Sequence, residues 1–322
     1  MTRGAGYERT DEHDQKCGAQ PRGEVRHGWR YVTPGSPVLA RTGDHGVVTE
    51  NDVELLDAGD GRRLDRFGSR VVDRPAPSAA WPPQLPPADW SAADLRFDRG
   101  AGWTGPDLAP WTVDICGLTL ELRPTEAGQL GIFPEHVEFW PWLRTALAGR
   151  ADPQVLNLFA STGATSLALA GAGARVTHVD ASRPAVAWAR HNAELSAMVD
   201  APVRWIVDDA LAFAGREARR GRRYDGFVLD PPSFGHGPRG TRWELSDALP
   251  ALLDACAAMA ADDAFVLLTA HTTGLRPDDL GDSLVDAFEP GPGGQLTAEF
   301  TEQVARSGAV LPLGVAARMI RG

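Results

Sequence analysis

The order of apolar runs predicts an α/β protein: a Rossmann-like, doubly wound sheet preceded by a small antiparallel β domain. Three observations carry that expectation. From Gln154 onward, apolar runs of strand length alternate with helical stretches, the mark of a parallel sheet. The run V-L-N-L-F-A-S-T-G-A-T-S, Val155 to Ser166, reads as a buried strand, a tight turn and a helix of small residues. Two later strands end in acids, T-H-V-D at Asp180 and Y-D-G-F-V-L-D-P-P-S-F at Asp230.

Taken in order, residues 1–50 are polar, glycine- and charge-rich and weakly periodic, and read as a disordered leader. Residues 51–127 read as the small β domain. V-E-L-L-D-A-G-D-G-R-R-L-D-R-F-G-S-R-V-V-D-R-P offers three short strands, with turns at Asp60-Gly61 and Phe67-Gly68-Ser69. The following text, with Trp81, Pro82, Pro83, Pro86, Pro87 and Trp90, is too proline-dense for a helix or a central strand. W-T-V-D-I-C-G-L-T-L-E-L-R-P alternates about a turn at Cys116-Gly117 and predicts a second hairpin. The tryptophans of this region are expected to pack in its core or form a lid.

The remaining stretch, 128–322, carries the cofactor-type pattern. A loop from Gly128 to His136 leads into a helix from about Pro134 to Leu147, whose start suits a proline and an acid. Strands are expected at Val155–Phe159, Arg175–Val179, Val203–Val207, Phe227–Leu229 and Phe265–Thr269. Helices are expected near Thr162–Ala170, Arg183–Leu195, Ala210–Arg220, Leu245–Ala260 and Asp278–Phe288. Ser182 is a fitting N-cap for the second of these. Leu296–Phe300 and Val310–Val315 read as a terminal antiparallel pair.

Composition narrows the classes. No apolar run approaches the ~20 residues of a membrane span, and the first residues lack a signal-peptide core. Cys17, Cys116 and Cys256 are far apart with no ligand spacing, which fits a reducing cytoplasm and argues against structural zinc or disulfides. No metal is expected. A net charge of −11 counts against a broad nucleic-acid surface, though not against a local basic patch. Lys16 is the single lysine; arginine supplies the other positive charge, as coding bias would.

The turn after the first parallel strand has one glycine, Gly163, flanked by Ala160, Ser161 and Thr162. A dinucleotide fingerprint would need three glycines. Backbone and hydroxyl donors at a helix N-terminus still suit a carboxylate, and S-adenosylmethionine carries one. Asp180, about 17 residues on, stands where a ribose-hydroxyl acceptor belongs. Asp208 and Asp209 end the next strand. One can meet the adenine amino group beside the Ala210 N–H while the other caps the helix, with Asp208 the expected adenine partner and Asp209 the expected cap. Asn157, Phe159, Ala181 and Ser182 complete the cofactor-side candidates. Asp230-Pro231-Pro232-Ser233-Phe234 is the most specific stretch. Two prolines stiffen the corner, so the Asp230 carboxylate and the proline carbonyls face a planar substrate on which Phe234 can stack.

N-L-F-A-S-T-G-A-T-S, H-V-D-A-S-R-P-A-V-A-W-A-R-H-N, R-W-I-V-D-D-A and Y-D-G-F-V-L-D-P-P-S-F-G resemble the class I S-adenosylmethionine-dependent methyltransferases, in the branch containing large-subunit ribosomal-RNA methyltransferases. V-E-L-L-D-A-G-D-G-R-R-L-D-R-F-G and G-I-F-P-E-H are similar to that branch too, so the resemblance spans roughly residues 52–320. It implies S-adenosyl-L-methionine as cofactor, RNA as substrate, and a loop over the cofactor in which Phe133, Glu135 and His136 are contacts. Two departures stand out. No N-terminal RNA-binding module is recognisable. In relatives with cytosine carbon-5 chemistry a cysteine nucleophile follows the fifth strand; here Thr272 holds that place, and Cys256 sits within a helix.

The expected reaction is therefore in-line methyl transfer to nitrogen, with Asp230 and the proline carbonyls orienting the acceptor and absorbing developing charge. His271 is either a base, a substrate contact or a plain loop histidine. Arg216, Arg219, Arg220, Arg222 and Arg223 form the densest basic stretch, but at the wrong end of the strands for a substrate clamp; Arg239 and Arg242 are better placed. Ribosomal RNA is the leading substrate, a small molecule the alternative, and a non-catalytic binding protein the third reading.

Overall fold

Two sheets are built by the computed structural model, which describes residues 52–236 and 242–322. The leader and Arg239 lie outside those residues. The larger sheet has seven strands. β8 (Gln154–Leu158), β9 (Arg175–Asp180), β10 (Val203–Val207), β11 (Tyr224–Leu229) and β14 (Ala260–Ala270) are parallel. β15 (Gln295–Val304) and β16 (Val310–Ile320) add an antiparallel pair beside β14. The order β10-β9-β8-β11-β14-β16-β15 places the topological switch between β8 and β11, where open α/β sheets bind ligands outside the carboxyl ends of their strands.

Why these strands are central follows from alternation. Leu156, Leu158, Phe227, Leu229, Val266 and Leu268 pack on the face covered by α5 (Ala210–Arg219), α6 (Leu245–Ala257) and α7 (Pro277–Phe288). Val155, Val228, Phe265 and Leu267 point the other way, against α2 (Trp140–Leu147), α3 (Ala164–Gly171) and α4 (Arg183–Leu195). Both faces are apolar at period two, so the strands read as continuous apolar runs. Gly226 is required beneath this core, since a Cβ there would fall 2.1 Å from the Phe265 ring.

The upstream sheet is larger than the sequence suggested. β1 (Val53–Gly59), β2 (Arg62–Phe67) and β3 (Arg70–Pro75) form as expected. The proline-rich text, expected to hold neither helix nor central strand, contributes a short helix, α1 (Pro87–Ser91), followed by β4 (Leu95–Asp98) and β5 (Gly102–Thr104) toward the sheet edge. Pro87 sits at the start of α1, where its missing N–H costs nothing. A single carboxylate gathers this segment: Asp57, buried, accepts from the N–H groups of Gln84 and Leu85, from Trp90 Nε1 and from Ser307 Oγ. Burial alone would push Asp57 up; those donors hold it below the ordinary carboxylate range. Ser307 belongs to the β15–β16 connection, so the upstream sheet is fastened to the last hairpin. β6 (Trp111–Ile115) and β7 (Leu118–Leu122) form the second hairpin and share their core with α2 and α3. The helix expected at 134–147 begins as a 3₁₀ segment, Pro134–Phe139, before α2.

Candidate active site

The carboxyl ends of β8, β9 and β11 open into a cavity of about 770 Å³. Its floor is the parallel sheet; its roof comes from the end of β3 and the loop beyond it, and one wall from Leu311–Leu313 of β16. Asp180, Ala181, Ser182, Asp209, Ala210, Asp230, Pro231, Pro232, Phe133, Phe159 and Ser161 line it. Asn157, Ala160, Thr162 and Gly163 line an adjoining recess that Phe133, Phe159 and Asp230 share.

The turn after β8 is strained and tightly held. Phe159 and Ser161 have φ of 58° and 50°, in the left-handed region that side chains avoid. Gly163 follows at 87°, and a Cβ on it would meet the Ala189 Cβ at 2.8 Å. The turn aims backbone donors at an acid: Ser161 N–H and Ser182 N–H donate to the two oxygens of Asp180, each at 2.8 Å. Burial nonetheless pushes Asp180 above its ordinary range, against those two bonds. Each oxygen keeps a lone pair. Thr162 Oγ1 donates to the Gly131 carbonyl, and Asn192 Nδ2 donates to the Thr162 carbonyl at 2.9 Å. Trp188 presses on Gly131, where a Cβ would fall 2.3 Å from its ring. The Gly128–His136 loop is thus fixed over the site.

The aspartates ending β10 differ from expectation. Asp209 does cap α5, accepting the Ala212 N–H at 2.8 Å, yet it also lines the cavity. Asp208 does not reach the lining; Arg216 claims one of its oxygens and the Asp209 N–H the other.

At the β11 end, Asp230 is surrounded by side chains. Thr269 Oγ1 donates to Oδ1 at 2.6 Å, His271 Nε2 lies 3.4 Å from Oδ1, and His136 Nε2 lies 3.4 Å from Oδ2. The Leu313 carbonyl accepts from His271 Nδ1 at 2.8 Å, which orients that ring. Burial pushes Asp230 up, but the charge and hydrogen bonding of His136, then of His271, hold it well below the carboxylate range. Burial opposes charging of both imidazoles, and Asp230 outweighs it: His136 is raised and His271 is pushed up to about 9. Each of the three residues offers one ligand-type atom within 4.8 Å of the others. With both imidazoles drawn toward their protonated form, the cluster is an ion-pair network about one carboxylate.

Two acceptor-side expectations change. Trp243 Nε1 donates to the Pro232 carbonyl at 2.7 Å, so that oxygen is engaged and the Pro231 carbonyl is the one without a partner among the described residues. Phe234, on the short strand Phe234–His236, is 66% exposed and stands outside the lining. Ser233 and Thr272 share a hydrogen bond of 2.7 Å. Cys256 is fully buried in α6, and burial pushes its thiol up. Part of the basic stretch meets acids of this chain: Arg220 and Arg222 gather on buried Glu217 and Arg223 faces Asp262, with all three arginines exposed. Arg242 is exposed and paired with Glu244 at 2.8 Å. Arg63, Arg74, Gln129 and Leu311–Leu313 line the cavity from elements distant in the chain, and no local motif announces them.

A seven-stranded sheet with five parallel strands, a carboxylate ending β9 and an Asp-Pro-Pro corner after β11 is the arrangement of nucleoside-cofactor methyl transferases. The chain belongs to the S-adenosylmethionine-dependent methyltransferase family, whose pattern matches residues 91–254. It is similar to a solved S-adenosylmethionine-dependent methyltransferase from Agrobacterium tumefaciens, with 34% identity and a TM-score of 0.79 over 84% of this chain and 91% of that one. Ribosomal RNA large subunit methyltransferase K/L of Pseudoalteromonas atlantica is 38% identical over 139 residues, 42% of this chain and 19% of that one. Ribosomal RNA large subunit methyltransferase I of Tolumonas auensis is 38% identical over 92 residues, 28% of this chain and 23% of that one. The matched stretches thus span about a fifth of those two relatives. No helix among the described residues is long and apolar enough to cross a membrane.

Proposed function

We propose that the protein transfers a methyl group from S-adenosylmethionine to a nitrogen of a nucleobase in ribosomal RNA. The observation that carries this reading is that Asp180 and the Asp230-Pro231 corner open into one cavity, from β9 and β11, the two strands that flank β8 at the switch point. The donor set fits the cofactor. Asp180 retains a lone pair on each oxygen for the two ribose hydroxyls. Asp209 and the Ala210 N–H would meet the adenine edge, in place of Asp208. Ser161, Thr162 and Gly163, with Ala160 and Asn157 below, would hold the amino-acid tail, and Phe133 and Phe159 would pack against it.

When bound, the cofactor supplies a methyl group already activated by the adjacent sulfonium. The protein's share is then alignment and exclusion of water. Asp230, kept ionised by its two imidazoles, would accept from the acceptor N–H and stabilise the positive charge that develops on nitrogen as the methyl–sulfur bond breaks, and the N–H proton is then lost to water. The Pro231 carbonyl supplies a second acceptor. Thr272 in place of a thiol, and a sealed Cys256, support nitrogen over cytosine carbon-5. In this reading residues 51–127 roof the site and residues 128–322 are the catalytic unit.

A small-molecule acceptor is the second reading, favoured by the roofed cavity and by a basic stretch already paired with its own acids. Labelled cofactor is incubated with RNA from a deletion strain and, in parallel, with a small-metabolite extract. Label in large-subunit RNA is the expected result; label only in the metabolite fraction selects the second reading.

A further inference from the structure

The roof of the cavity carries an unusual charge arrangement. Arg63 on β2 and Arg74 on β3 are directly paired across the strands, and they are only 7% and 5% exposed. Two guanidinium groups buried side by side repel each other unless carboxylates match them. One carboxylate serves both. Asp65 accepts from Arg63 Nε and Nη2, each at 2.7 Å, and from Arg74 Nε at 3.0 Å. The other engaged N–H groups go to neutral amides: Arg63 Nη2 to Gln303 Oε1 at 2.6 Å, and Arg74 Nη1 to Gln129 Oε1 at 3.2 Å. The Phe67 ring, 5.5 Å away, backs the Arg74 guanidinium.

That leaves Arg63 Nη1 and Arg74 Nη2 with no hydrogen bond among the described residues. Neither belongs to the sealed, unpartnered side-chain atoms, and both residues line the cavity. Glu135 is the remaining carboxylate on this side, but it forms no ion pair within 4.0 Å with either arginine, and it also faces His136 and His271. Among the described residues Asp65 is thus the one carboxylate in an ion pair with either guanidinium. An acceptor with an oxyanion would give the two arginines a second charged partner, and the guanidinium fork suits the geometry of such a group.

We infer that Arg63 and Arg74 bind an oxyanion of the methyl acceptor, a carboxylate or a phosphate, from the roof of the cavity. The inference rests on the methyl-transfer reading above and narrows it to an acceptor that brings its own negative charge inside. For RNA that charge is the phosphate of the nucleotide whose base is presented to Asp230; for a small molecule it is a carboxylate on a planar framework.

The test is equilibrium binding to the full chain saturated with S-adenosylhomocysteine. Nucleoside 5′-monophosphates are compared with the matching nucleosides, and benzoate with benzamide. At least one anionic probe should bind about tenfold or more tightly than its neutral counterpart, the size expected of a charge-assisted contact. A contrast in the nucleotide pair assigns a phosphate, and one in the benzoate pair a carboxylate. The contrast should vanish in Arg74→Gln and shrink in Arg74→Lys, which keeps the charge but loses the fork. Because Arg74→Gln leaves Asp65 short of a partner, the double variant Arg74→Gln/Asp65→Asn is measured beside it, with thermal unfolding and S-adenosylhomocysteine affinity as checks on folding. Anionic and neutral probes binding alike to the wild type, or a contrast unchanged in a folded Arg74→Gln protein, overturns the inference while the methyl-transfer reading stands. Failure of the wild type to bind S-adenosylhomocysteine overturns both.

Discussion

The two acids at the heart of the cavity are held in opposite ways. Asp180 is gripped by backbone: two N–H groups from the loops that follow β8 and β9. Asp230 is gripped by side chains from three distant places: Thr269, His136 and His271. Burial wins at Asp180 and leaves it above the usual range, whereas imidazole charge wins at Asp230 and leaves it far below. The proposed cofactor half is thus a product of local chain geometry, and the proposed acceptor half a product of tertiary assembly. A shared cofactor needs only the first; the second is where members of one fold can diverge.

Substitution should separate the halves. Asp230→Ala should lower turnover by about 10²–10³-fold, the scale of losing one pre-organised polar group, with cofactor affinity nearly unchanged. Single-turnover transfer of labelled methyl measures the first and calorimetry the second; strong residual turnover would erase the distinction. Asp180→Ala should do the reverse, weakening S-adenosylmethionine by about 10–100-fold through loss of its hydroxyl contacts, while turnover at saturating cofactor holds. Gly131→Ala must displace the Trp188 ring at a φ of 93°, and a loss of about 1–3 kcal/mol in unfolding stability is expected. The calorimetric cofactor affinity should fall with it, because the loop spans both halves.

Acidity offers a gentler probe of the same contrast. His271 is raised from the usual imidazole range to about 9 by its hydrogen bond to Asp230, against burial. Asp230 also faces His136, and Glu135 acts on both imidazoles. The pairing of His271 with Asp230 is complete below about pH 6.5 and is lost as pH rises through about 9. Turnover should therefore decline on the alkaline side while S-adenosylhomocysteine affinity stays level, and His271→Gln should flatten that decline. The smallest effect is expected of Cys256→Ala. The thiol is sealed in α6 far from solvent, so turnover should match wild type in the labelled-methyl assay, and a tenfold loss would reopen covalent chemistry.

This division also explains what could be read from the sequence. Apolar runs of strand length alternating with helical stretches marked the parallel strands, and β10 and α4 have the expected limits. Asp180 was legible because its place depends on chain distance from Gly163 within one βαβ unit. Asp208 was misplaced because nothing local shows that Arg216, two turns along α5, turns back to claim it. Likewise Phe234 looked like a stacking ring from adjacency alone, yet its short strand carries it outward. The proline-rich stretch hid α1, β4 and β5, because their stability comes from Asp57 and the sheet edge and not from local propensity. Arg63 and Arg74 read as ordinary alternation in a small β domain; only the folded chain shows that they overhang the cavity.

The β15–β16 hairpin makes closure of the chamber depend on contacts distant in the chain. Leu313 orients His271, Leu311 and Pro312 wall the cavity, and Ser307 ties the hairpin to Asp57 beneath the roof. Loosening that hairpin should open the chamber and release His271, while the two backbone bonds to Asp180 stay in place.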